Sequence, residues 1–203
     1  MPGIENAAGG PIIGAKVDGN QRLWVSTHSH TDTAVHAHEG KLYHATSGSA
    51  QMDLAGGPIL YMKNLSDQNN IVLETLDVTF EIAEGFLTFR LKDTGAPGGT
   101  TVVTAINGNT RFPNLATSAI DFFKPTTPAN GITGLTDGGE IAYFDKLSAG
   151  KNTFVFNSTV ILAENGIFVV ETALSEGGSD LTGRVSWHVR FVVTSVDELD
   201  PNK

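Results

Sequence analysis

The chain contains no cysteine. That removes disulfides, thiol nucleophiles and thiolate metal ligands together, so the fold must hold by burial or by association. Cations are few: 13 Lys and Arg stand against 22 Asp and Glu, for a formal net charge of -9. Phosphate binding needs clustered cations whose counterion release drives association, and the sequence has no basic run. A nucleic-acid partner is not expected. No apolar run approaches the roughly 18 residues of a membrane-spanning helix, so no membrane partner is expected either. The opening Met1-Pro2-Gly3-Ile4-Glu5-Asn6 lacks the basic start and apolar block of a secretory signal. Without a signal, the Asn-x-Ser/Thr matches at Asn64 and Asn157 read as coincidence. Helical spacing is nearly absent, with room for one turn around Asn114–Ser118.

What is present is alternation. Val185, Trp187, Val189, Phe191 and Val193 interleave with Ser186, His188, Arg190, Val192 and Thr194, the period of two of a half-buried strand. In Ile71–Ile82, Val72, Leu76, Val78, Phe80 and Ile82 share one face, and Thr75, Asp77, Thr79 and Glu81 the other. Glu84-Gly85 then suggests a hairpin into Phe86–Leu91. Further short runs fall at 22–27, 41–46, 49–54, 59–64, 101–106, 119–123, 140–147, 153–157, 159–162 and 167–173, separated by turn residues. With 203 residues, 40% of them hydrophobic, and a mean hydropathy of -0.04, this pattern predicts one all-β domain. The expected fold is an antiparallel, jelly-roll-like β-sandwich over 21–203.

Two stretches break the pattern. Residues 1–20 carry Gly3, Gly9, Gly10, Gly14 and Gly19 with Pro2 and Pro11, and predict a flexible arm that orders only against a neighbour. Asn107–Gly139 is rich in Gly, Pro, Thr and Asn. It predicts a long irregular insertion, with 119–123 as an edge strand inside it.

Five of the six histidines cluster between His28 and His44. On an extended strand His28 with His30, or His36 with His38, would present paired imidazoles. With Asp32 or Glu39 a zinc, iron or nickel site is conceivable. A cupin metal site requires His-x-His, then an acid a few residues on, and a second downstream motif. Glu39 follows His38 immediately, and only His188 lies far downstream. The expectation is therefore no metal, no other cofactor and no enzyme activity, with a cupin-like enzyme on His28, His30, His36 and His38 as a remote alternative. There is no Gly-x-Ser-x-Gly elbow. Gly95–Gly99 and Gly150-Lys151-Asn152 read as hairpin turns rather than phosphate loops. Trp24 and Trp187 sit among alternating apolar residues and are expected in the core rather than on a sugar platform.

Several segments resemble small structural proteins of tailed bacteriophages. Val17-Asp18-Gly19-Asn20-Gln21-Arg22-Leu23-Trp24-Val25 is similar to their "D-G-x-R-L-x-V" start. His36-Ala37-His38-Glu39-Gly40-Lys41-Leu42-Tyr43, with Thr46-Ser47-Gly48, is similar to an "E-G-x-x-Y-x-x-x-S-G" segment. Pro58–Asn64 resembles an "L-L-Y-L-K-N" strand, and Val160–Gly166 through Trp187–Phe191 resembles their closing hairpins. The resemblance covers about half the chain, and its order is more informative than any single motif. It implies a capsid decoration (cement) protein, a homotrimer on the major capsid protein, made in the host cytoplasm and resident on the virion surface. A fibre or receptor-binding virion domain is the alternative. The side chains expected at interfaces are Ile4, Ile12 and Ile13 in the arm, His36 and His38, and Phe112, Phe122 and Phe123 in the insertion.

Overall fold

A computed structural model describes residues 16–17, 23–24, 32–48, 50–52, 57–81, 84–92, 94–126, 131–135, 140–157, 159–174 and 183–196. The chain divides into two compact units, Met1–Asp32 and Thr33–Lys203. In the first, β1 (Lys16–Val17) pairs antiparallel with β2 (Leu23–Trp24). The rest of the expected arm, with Ile4, Ile12 and Ile13, lies outside the described residues, as do His28 and His30.

The second unit follows α1 (Asp32–His38) with strands that form an antiparallel sandwich. They are β3 (Leu42–Thr46), β4 (Ala50–Met52), β5 (Gly57–Asn64), β6 (Asn69–Phe80), β7 (Gly85–Leu91) and β8 (Thr100–Val102). β9 (Ile106–Asn107), β10 (Ile120–Pro125), β11 (Glu140–Leu147), β12 (Gly150–Val155), β13 (Ile161–Leu162), β14 (Ile167–Leu174) and β15 (Gly183–Ser195) complete it. One sheet runs β11-β7-β14-β5-β10-β8. The other runs β12-β6-β15-β3-β9, with β13 also on β6 and β4 also on β15. The fold class is all-β, as the alternation predicts.

The inner faces meet over Met62, Leu76, Val78, Leu87, Phe168, Val170, Val189 and Phe191, all buried. Phe122 stacks on Trp187 at 5.6 Å, and Phe89 contacts the rings of Tyr143, Phe154, Phe156 and Phe168. Trp187 is therefore core, as expected. Two bulges set the phase. Between β15 and β6, Arg190 faces Thr75 but Phe191 faces Leu73, leaving Glu74 as the extra residue. The inward set on β6 is thus Ile71, Leu73, Leu76, Val78 and Phe80. The single face expected to include Val72 is broken there, because one inserted residue flips every side chain beyond it. On β5, Val170 faces Leu60 and Glu171 faces Pro58, so Ile59 is the extra residue. Its carbonyl accepts the Trp187 indole N–H at 2.9 Å, a hydrogen bond from one sheet to the other.

Several connections differ from expectation. β7 does not form a hairpin with β6; it lies between β11 and β14 in the opposite sheet. Gly85 closes on the Phe80 ring with no room for a Cβ, and the chain crosses between layers at that point. The Gly95–Gly99 segment is not a hairpin turn either, since β7 and β8 lie in one sheet with β14, β5 and β10 between them. The turn before β12 likewise joins the edges of the two sheets instead of pairing β11 with β12. β10 is an interior strand between β5 and β8, not an edge. Residues 131–135 of the insertion fold back on the outer side of their own sheet. There Ile132 packs with Tyr61 and Val169, and its N–H donates to the Pro58 carbonyl at 2.8 Å.

Candidate functional site

The extended strand that would set His36 beside His38 is not formed, and the other conceivable pair, His28 with His30, lies outside the described residues. Residues 32–38 are helical, and at 3.6 residues per turn positions two apart point to roughly opposite sides, which separates His36 from His38. The helix ends in a Schellman cap: Gly40 N–H donates to the Ala37 carbonyl and Lys41 N–H to that of His36. Gly40 has φ 73° and its missing Cβ is occupied by the Phe112 ring. The Glu39-Gly40 pair that carried part of the sequence resemblance is thus a helix stop. That glycine was the available signal for a helix, and the dense histidines masked it. Among the described residues, no three His, Asp or Glu side chains are arranged to hold a metal ion.

The remaining expected interface residues divide. His38 is exposed, and its carbonyl accepts the Asn109 amide. His36 is half-buried, with Nδ1 buried and without a hydrogen-bond partner among the described residues. Phe112 is 41% exposed, but one side of its ring covers Gly40. Phe123 is half-buried and stacks on Tyr61 at 5.9 Å. Phe122 is 1% exposed and corrects the expectation: its inward register on β10 places it in the core. Asn64, one of the two sequon asparagines, is also interior. Its amide donates to the carbonyls of Asn69 and Leu162 and accepts from Ser66 N–H.

The sandwich gathers polar groups elsewhere, on the outer face of the β6–β15–β3 sheet. Since Trp187 and Val189 point inward, His188 and Arg190 must point outward, and the sequence alternation already implied this. Asp77 on β6 accepts the Thr153 hydroxyl at 2.6 Å and the Lys151 ammonium at 3.0 Å. Its carboxylate also lies 3.5 Å from His188 Nδ1. His188 Nε2 in turn sits 3.3 Å from His44 Nδ1, the two rings stacked at 5.5 Å. Arg190 pairs with Glu74 at 2.8 Å. Burial raises the Asp77 pKa, but the bonds from Thr153, Lys151 and His188 outweigh it and the net shift is downward. Burial lowers the His44 pKa, reinforced by the neighbouring His188 and Arg190 and opposed by Glu74.

This row ends at an open recess of about 420 Å³ where β3 and β15 approach β8 and β9. His44 and His188 form its polar side, Val102, Val103 and Ile106 its apolar side, and Lys124 of β10 also lines it. Lys124 escaped the sequence reading because its partners come from strands remote in sequence.

At the opposite side of the sandwich lies an apolar patch. The β11–β7 register shifts between Ile141 and Tyr143. The bulge puts Ile141 opposite Arg90 and Phe144 opposite Thr88, so both lie on the outer face although three positions apart. They are 61% and 63% exposed, and Phe144 stacks on Phe86 at 5.7 Å. On the neighbouring edge strand β12, Val155 is 61% exposed.

No family model and no curated protein matches this chain. Among solved structures, infectious bursal disease virus Gt strain is similar at 18% identity and a TM-score of 0.18, over 95% of this chain and 47% of that one. The VP2 subviral particle of the same virus gives 17% identity and a TM-score of 0.19, over 95% of this chain and 48% of that one. The chain thus spans about half the length of these proteins, and a likeness at that level carries no argument about function. No helix among the described residues is long and apolar enough to cross a membrane.

Proposed function

We propose that this chain is a virion structural protein, and more narrowly a decoration protein that seats on the outside of a capsid shell. The observation that carries the reading is the patch formed by Ile141 and Phe144 on the edge strand β11 with Phe86 beside them on β7. Large apolar side chains left in water together mark protein–protein contact, and the edge of β11, which among the described residues pairs with β7 alone, offers main-chain groups to a neighbour. The order of the phage-like sequence segments supports the same reading. A rigid sandwich holding such an edge at fixed geometry suits attachment at many equivalent points, where repeated weak contacts gain from avidity.

The test is to add purified full chain to shells of the phage lacking it and to sediment the mixture, with light scattering of the free protein alongside. The expected result is a trimer and saturable, stoichiometric binding to the major capsid protein. A monomer that leaves the shells bare overturns the proposal.

A further inference from the structure

We propose that the recess between β3, β8 and β15 is a binding site for a carboxylate carried on a short apolar body, with Lys124 as its charge partner. The argument begins with charge. Arg190 and Lys151 on the adjoining face are each matched by a carboxylate, Glu74 at 2.8 Å and Asp77 at 3.0 Å. Lys124 is not. Its ammonium donates to the Ser47 carbonyl at 2.8 Å, a neutral acceptor, and among the described residues no carboxylate pairs with it. An ammonium has three donors, and among the described residues the Ser47 carbonyl takes one of them.

The rest of the wall selects the ligand's shape. Val102 and Ile106 are 56% and 55% exposed, and with Val103 they give the recess an apolar side opposite its polar one. At about 420 Å³, the recess falls within the roughly 300–1,000 Å³ of small-molecule sites. It is too open, and too poor in cations, to favour a polyphosphate.

The histidines tune the site. One N–H between His44 Nδ1 and His188 Nε2 leaves the neutral pair hydrogen-bonded, and a proton added to the pair supplies positive charge beside the ligand. The charged and titratable groups around His44 are His188 and Arg190 on β15, Glu74 and Asp77 on β6, Lys151 on β12 through Asp77, and Lys124 on β10. A bound carboxylate adds negative charge to this set and opposes the burial and neighbouring groups that hold the His44 pKa down. The ligand therefore binds more tightly as pH falls below the ordinary histidine value toward the lowered pKa of His44, until it takes up a proton itself.

The experiment titrates the isotope-labelled full chain with sodium hexanoate and follows the His44 and His188 imidazole signals by NMR. 1-Hexanol serves as the chargeless control. Hexanoate is expected to shift both imidazoles, with at least about tenfold weaker binding for hexanol and for the Lys124→Gln variant. Lys124→Arg, which keeps the charge, should retain binding, and affinity should be higher near about pH 6 than near about pH 8. A short peptide ending in Val-Leu with a free carboxylate, compared with its C-terminal amide, separates two sources of the same chemistry. Tighter binding of the free-carboxylate peptide than of hexanoate assigns the site to a chain terminus, and the reverse assigns it to a free acid. No shift with either carboxylate, or equal shifts with hexanol, overturns the proposal.

Discussion

The indole of Trp187 fills the interior beside Phe122, and its N–H satisfies the Ile59 carbonyl that the β5 bulge turns away from its own ladder. Trp187→Phe keeps most of the ring but strands that buried acceptor. The expected loss is about 1–3 kcal/mol of unfolding free energy, read from urea denaturation. At the same scale, His44 gives the stability a pH slope. The unfolded imidazole titrates near 6.5, and in the fold its pKa is lower because burial, then His188 and Arg190, oppose its charge. Below 6.5 the unfolded chain holds more protons, so stability falls with pH through that window and levels off beneath the folded value. Asp77 acts further into acid. Its folded pKa lies below 3.8, so its contribution is present above 3.8 and is lost as pH falls through the folded value. Urea melts across pH should show both steps, and His44→Gln should remove the upper one while the acid step persists.

At the scale of elements, strand existence was legible and strand partnership was not. A period of two reports which side of a strand faces the core, and for β15 and most of β6 that was enough. It says nothing of which strand lies beside which. The chain after Phe80 was therefore expected to double back, whereas β7 lies in the other layer. Bulges are silent in sequence too, because the residue inserted at Glu74 or Ile59 has no special chemistry. Of the candidate site, the outward His188 and Asp77 could be read from alternation; their meeting with His44 and Lys124 needed the pairing of β15 with β3 and β6. The misread helix has its own energetic signature. Gly40→Ala must hold a left-handed φ and push a methyl into the Phe112 ring, so it should destabilise the fold by about 1–3 kcal/mol. Phe112→Ala in the same chain should relieve the steric part and leave the backbone part. A double-mutant cycle by chemical denaturation should show a coupling of about 0.5 kcal/mol or more between the two, and additive effects would mean the ring does not rest on the cap.

For the whole molecule, the two sides of the sandwich do different work. The side bounded by β8 and β9 holds the recess and its histidines. The side bounded by β11 and β12 leaves Ile141 and Phe144 of β11 in water, where they contribute little to the fold because they lie outside the inner layer. A chain with net charge -9 resists random association through mutual repulsion, so the proposed contact through this patch relies on surface fit. Ile141→Glu with Phe144→Glu therefore separates assembly from folding. The double variant should keep its urea midpoint near that of the parent, since exposed substitutions usually stay within about 0.5 kcal/mol. Its mass by light scattering should fall to that of one chain, and its sedimentation with shells should be lost. An unchanged mass together with undiminished shell binding would move the interface away from β11.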